Sequence, residues 1–297
     1  KAMQNLGLPY NRDFNDGDQY GVGLMQYTIG NGKRCDTISS LINPILNNKN
    51  LHINLNTIVT KIIIENKKAI GVETLRNGKY EKYFAKEIIL TAGALITPKI
   101  LMHSGIGDEN QLKNFGIKVK ENLIGVGKNL QDHHEVPFIT RAKAGYGYFK
   151  QNKGLRMIRN GIQYILFKSG PVTSNGVDCC SFLNPKNLID NNDPKIKLYC
   201  VQIMYTDRDT KGIKPDHGVT LTSCLMNPKS RGEVTINSSN PKDLPDINPN
   251  FLSNKDDINI FLESLKLARR VINTKPLSDI ILEEVLPGKN ITDDESL

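Results

Sequence analysis

From residue 51 onward the chain adopts a period-two rhythm. Leu51, Ile53 and Leu55 alternate with polar residues, and residues 58–64 (IVTKIII) follow as a β-branched run. Alternation of this kind marks a strand with one buried face, because successive side chains leave opposite sides of the pleat. Residues 69–75 and 79–85 continue the pattern across Asn77-Gly78. Asn-Gly is a strong hairpin signal, since both residues tolerate positive φ. The spacing therefore predicts a three-stranded antiparallel β-meander. It leads into KEIIL (86–90), a continuous apolar run that reads as a further, buried strand.

The next segment, 91–107, reads TAGALITPKILMHSGIG. It turns through Gly93, and its spacing predicts a helix opening at Thr97-Pro98 and closing at Gly105. Threonine can cap a helix, and proline in the first turn forfeits no helical hydrogen bond. Asp108 caps a second short helix that runs to Phe115 and ends at Gly116. Before the meander, residues 1–36 are rich in Gly, Asn and Asp and read as extended loop with short strands. Residues 37–46 carry Ile38, Leu41, Ile42, Ile45 and Leu46 at helical spacing, interrupted by Pro44. Beyond residue 134 the character changes. An amphipathic helix is expected at 155–168, short strands at 179–183, 198–204, 218–225 and 232–236, a proline-containing loop at 240–250, and a second amphipathic helix at 258–271. The series of strands predicts an antiparallel sheet and an α+β second part.

Composition narrows the options. The 297 residues are 38% hydrophobic and 24% charged, enough for a globular core. The net charge of +8 comes from scattered lysines rather than a basic run with interleaved aromatics, so no nucleic-acid partner is expected. No apolar run reaches the ~18 residues a membrane helix needs. The five cysteines form neither CxxC nor a metal-ligand spacing, so no metal site is expected and they read as free buried thiols. Adjacent Cys179 and Cys180 would point to opposite faces of a strand. Sequons at Asn237 and Asn290 permit glycosylation, and the compartment is left open with secretion favoured. No GxSxG elbow, phosphate-binding P-loop or HExxH is present. The carboxylate pairs Asp256-Asp257 and Glu283-Glu284 read as solvated helix positions.

Residues 93–107 resemble the second signature of the glucose-methanol-choline (GMC) flavin oxidoreductases. That pattern asks for a small residue after the first Gly, a hydroxyl residue and Pro, two aliphatics, then Ser-Gly-aliphatic-Gly. Ala94, Thr97, Pro98, Leu101, Met102 and Ser104-Gly105-Ile106-Gly107 supply them. GVGKNLQDH (125–133) resembles the family's VGxNLQDH segment, although Ile124 stands where proline is usual. Residues 31–46, 50–64 and 230–252 resemble further family segments, so the likeness spans most of the chain, with the insect glucose dehydrogenase and choline dehydrogenase branch the nearest in flavour.

The resemblance implies an α/β plus α+β protein. Residues 1–134 would form part of a two-dinucleotide (Rossmann-like) FAD-binding domain that includes the β-meander. Residues 135–297 would form part of an antiparallel-sheet substrate-binding domain. It implies FAD as cofactor, an alcohol or sugar substrate losing hydride to flavin N5, and an electron acceptor of unspecified kind. Thr91, Ala92 and Gly93 would lie beside the FAD adenosine and pyrophosphate, where small side chains let main chain approach closely. Val59 corresponds to the position whose backbone contacts the adenine; an ordinary core strand residue is the competing reading. His133 reads as a hydrogen-bonded structural residue in a buried connection rather than as a catalytic base, and His52, His103 and His217 read as surface or packing histidines. The family's N-terminal GxGxxG and its C-terminal His-Pro-x-Gly-Thr are both missing; Gly21 and Gly23 in GVGLMQ do not complete the first. No catalytic residue is therefore assigned within the chain. The base is expected beyond Leu297, and the chain reads as an internal fragment. An inactive truncated product or a non-catalytic paralogue is the alternative.

Overall fold

The structure, a computed structural model, describes residues 1–189, 193–205 and 213–297. In chain order its longer elements begin with β1 (Gly21–Leu24), followed by the meander β2 (Ile58–Glu65), β3 (Lys68–Arg76) and β4 (Lys79–Phe84). Helices α1 (Gly93–His103) and α2 (Glu109–Asn114) come next, then β5 (Lys128–Leu130), β6 (Glu135–Ala142) and α3 (Gly154–Phe167). Strands β7 (Val177–Leu183), β8 (Ile196–Val201), β9 (Gly218–Leu225), β10 (Gly232–Thr235) and β11 (Asp246–Asn248) precede α4 (Lys255–Ile272) and β12 (Ile281–Leu286). Contacts divide the chain into two compact units, each assembled from separated segments. One comprises Lys1–Leu46, His133–Pro228 and Lys255–Leu297; the other comprises Asn47–Asp132 and Lys229–Asn254. Packing therefore does not follow a single cut after residue 134.

In the smaller unit the meander forms as expected. Asn77 and Gly78 turn it with φ of 49° and 79°, and β3 pairs β4 from Gly71↔Phe84 to Arg76↔Lys79. Asn66 and Lys67, also at positive φ, close the preceding hairpin. Helix α1 packs along β2. Below it Met102, Leu112 and Ile236 form a buried cluster, walled by Phe115, Ile117, Val119 and Val126. Asp108 caps α2 by accepting from the amides of Asn110 and Gln111 at 2.9 and 3.1 Å.

Several expectations in these segments are corrected. Residues 86–90 join no sheet among the described residues, and Ile89 is 76% exposed. An apolar run records a preference for burial, but a strand also needs a neighbour to accept its ladder. Residues 51–55 form no strand either. Helix α1 opens at Gly93, four residues earlier than predicted, so Pro98 lies inside it. The amide missing there leaves the carbonyl of Ala94 without its helical donor, and Ala94 is exposed, so water can serve it. The helix expected at 37–46 breaks into a π turn (Ile38–Ile42) and a 3-10 turn (Asn43–Ile45), with Pro44 in the second.

The larger unit is built on a six-stranded antiparallel sheet, ordered β1-β7-β8-β9-β6-β12. Central strand β9 is buried along its whole length. Helix α4 contacts β9 and β6 and turns Phe261, Leu265, Leu267, Val271 and Ile272 inward. At roughly 2 kcal/mol per large apolar side chain, those five contribute on the order of 10 kcal/mol as an upper figure. Helix α3 lies where the pattern placed a helix, but its apolar face is open: Leu155 is 84% exposed, Ile158, Ile162, Ile165 and Phe167 are also exposed, and Asn160 is the buried residue.

The carboxylate pairs differ from the sequence reading. Glu284 lies on β12, not on a helix, and its side chain is only 5% exposed. Arg269 of α4 grips it with two hydrogen bonds, at 2.9 and 2.6 Å. Asp257, in the first turn of α4, is buried. Charge in a sequence reports solubility preference, but a partner on another element can bring it inside.

Candidate functional site

The turn at residues 91–93 belongs to the smaller unit. Thr91, Ala92 and Gly93 are all exposed. Gly93 has φ of 86°, and a Cβ built there meets nothing within 4 Å. Backbone conformation, not crowding, therefore demands glycine, and open space lies against the main chain. Ala92 occupies the N-cap position of α1, and no side chain caps the helix. The first-turn amides of a helix lack internal acceptors and carry partial positive charge, which suits an anion. Val59 is half-buried on β2, opposite Thr74. Among the described residues β2 pairs with β3 alone, and its other edge borders α1, where the amide of Ile62 donates to Ser104 Oγ at 2.7 Å. The strand carrying Val59 and the helix opened by Gly93 are thus neighbours.

Asn129, at φ of 60°, sits in β5, which pairs with β10. Gln131, Asp132 and His133 are exposed, where a buried connection was expected. His103 is half-buried at the last residue of α1, and burial together with the Lys99 ammonium lowers its pKa, keeping it neutral.

The larger unit holds a cavity of about 700 Å³ that no sequence motif announced. Tyr199 and Val201 of β8 line it, with Tyr148, Tyr205 and Glu135. Tyr199 donates its hydroxyl to Glu135 at 2.7 Å, and Tyr148 donates to Asp178 at 2.5 Å. Asp178 also accepts from Ser174 Oγ at 2.7 Å and Gln202 Nε2 at 2.6 Å. Burial pushes both phenols above their usual pKa, and the bonds to carboxylates add to it. They remain protonated donors at neutral pH. Apolar walls with a few convergent polar groups are the usual form of a small-molecule site. The available signal was alternation: Tyr199, Val201, Ile203 and Tyr205 recur at period two. Among the described residues no cluster of His, Cys, Asp and Glu could hold a metal, and no helix is long and apolar enough to cross a membrane.

Comparison with known proteins gives consistent matches. Residues 1–135 and 228–296 match two family profiles, both described as GMC oxidoreductase. The alcohol dehydrogenase (acceptor) of Pseudomonas putida is 31% identical over 304 residues, covering 100% of this chain and 54% of that protein. The oxygen-dependent choline dehydrogenase of Rhizobium rhizogenes is 33% identical over 298 residues, again 100% and 54%. The chain thus spans about half the length of the curated relatives it matches. Among solved structures, pyridoxine 4-oxidase from Mesorbium loti superposes with a TM-score of 0.86 at 22% identity, covering 99% of this chain and 54% of that one, a likeness of fold alone. An Aspergillus oryzae formate oxidase, studied for its FAD modification, gives 0.84 at 26% identity, covering 99% and 56%.

Proposed function

The chain belongs to the GMC oxidoreductase family, and from that premise we propose that the protein containing it is an FAD-dependent oxidoreductase acting on a CH–OH group. The observation that carries this is the uncapped start of α1 at Gly93, which lies within the family signature and leaves main chain exposed beside open space. The residues present suit a dinucleotide. First-turn amides of α1 would serve a phosphate, Thr91 and Ala92 are small enough for close approach, and Val59 lies on the strand neighbouring that helix. A flavin held there would supply the two-electron redox chemistry for oxidising a CH–OH group. The chain's own part is to bind and orient.

In this reading the unit of residues 47–132 and 229–254 serves the flavin, and the unit with the 700 Å³ cavity serves the substrate. Val201, Ile203 and Met157 give that cavity an apolar wall suited to the carbon chain of an alcohol, while Gln151, Asn152 and Asn175 bring polar side chains to it. Glu135 beside Tyr199 and Tyr205 would favour an alcohol with a cationic head, as the choline dehydrogenase relatives suggest. A secretory location accords with the exposed sequon residues Asn237 and Asn290.

The test is to purify the protein that contains this chain and record its visible spectrum, then add candidate alcohols and sugars without oxygen. A flavin spectrum bleached by an alcohol supports the proposal. Folded protein that neither holds nor takes up flavin refutes it.

A further inference from the structure

We propose that Cys179 and Cys200 form a reversible thiol–disulfide pair, closed by hydrogen peroxide. They occupy adjacent antiparallel strands, β7 and β8, and stand directly opposite each other in the register. Opposed residues of an antiparallel pair hold their Cα atoms ~4.5–5.5 Å apart and project side chains from the same face. A disulfide spans ~4.4–6.8 Å between Cα atoms. The two thiols face each other, and both residues are only half-buried.

The other cysteines do not compete. Cys180 is buried and opposes Tyr199 on the other face of the sheet; burial pushes its thiol up to about 11. Cys224 is buried opposite Glu135 and Lys197. Cys35 lies in an unrelated part of the fold, near Gly30.

The facing thiol also biases which sulfur ionises first. It holds Cys179 down to about 7, against burial and the nearby Asp178 carboxylate, which push the other way. The facing Cys179 thiol pushes Cys200 well up, with burial adding to it. Cys179 is therefore the more readily ionised thiol, and the thiolate is the reactive form. The Cys179 thiolate attacks one peroxide oxygen, the O–O bond breaks, and hydroxide departs and is protonated to water. Cys179 is now a sulfenic acid. The Cys200 sulfur then attacks it, the S–O bond breaks, and a second water leaves with the Cys200 proton. Two thiols are oxidised and one peroxide is reduced to two waters. The bridge would tie β7 to β8 behind the cavity wall formed by Tyr199 and Val201.

The protein containing this chain is treated with hydrogen peroxide, capped with N-ethylmaleimide and digested without reduction. The expected product is a peptide joining the Cys179 and Cys200 segments, two hydrogens lighter than the free pair and released by dithiothreitol. The link should persist in Cys180→Ser and vanish in Cys179→Ser and Cys200→Ser. In Cys200→Ser, dimedone should label Cys179. Fragment spectra that separate Cys179 from Cys180 place the sulfur in the unmutated protein, so the assignment does not depend on the variants folding. A link through Cys180, over-oxidation of Cys179 without a link, or unreacted thiols would each overturn the proposal.

Discussion

Ser104, inside the family signature, offers the sharpest test of the packing described here. It is 3% exposed at the end of α1. Its hydroxyl donates to the Ile100 carbonyl at 2.6 Å and accepts from the Ile62 amide at 2.7 Å, joining helix to edge strand. In Ser104→Ala the Ile100 carbonyl keeps a donor, because the Ser104 backbone amide reaches it at 3.1 Å. The Ile62 amide loses its acceptor, and the Ile62 side chain packed beside it is only 5% exposed. An orphaned buried donor costs ~1–3 kcal/mol, against ~1 for an ordinary net hydrogen bond. The expected loss is about 2 kcal/mol, or roughly a 30-fold fall in the folded-to-unfolded ratio. Urea denaturation should show a lower midpoint at unchanged slope, and hydrogen exchange at the Ile62 amide should accelerate. Ser238→Ala is the control. Ser238 also makes two tight bonds, to Asp243 and from Asn240, but at the surface, where water replaces them. Equal losses in the two variants, or unchanged protection at Ile62, would refute the reasoning.

Gly127→Ala should be worse than Ser104→Ala, costing at least ~3 kcal/mol by denaturation, because φ is 80° and the new Cβ would lie 2.1 Å from the Val234 carbonyl oxygen. Glu284→Gln removes the charge facing Arg269. Breaking a buried pair costs ~3–5 kcal/mol, and Arg269 keeps 24% side-chain exposure, so a loss of about 2 kcal/mol is expected in the same assay. Iodoacetamide labelling of Cys179 should rise as pH passes through about 7, since the thiolate fraction grows with pH, while Cys180, at about 11, stays unlabelled until denaturation. A labelling profile at Cys179 that begins only above pH 8.5, the ordinary thiol value, would contradict that assignment.

The sequence by itself determined whatever depends on neighbouring residues. Asn77-Gly78 specifies a turn through the φ its two residues tolerate, Asp108 caps α2 through its own side chain, and the spacing of Phe261, Leu265 and Val271 marks one face of α4. The signature at 93–107 was readable as a pattern, with Gly93 answering to local backbone geometry, although its Ser104 serves Ile62, 42 residues away. Tertiary structure alone decided who stands beside whom. Glu284 reads as solvated until Arg269 meets it from a helix, the apolar stripe of α3 predicts a core it does not face, and KEIIL promises a strand that finds no partner among the described residues. Register between β7 and β8 set Cys179 opposite Cys200, and the placement of β8 beside Glu135 and Tyr148 made the cavity. Periodicity encodes which face of an element avoids water; it carries no address for the element that will cover it.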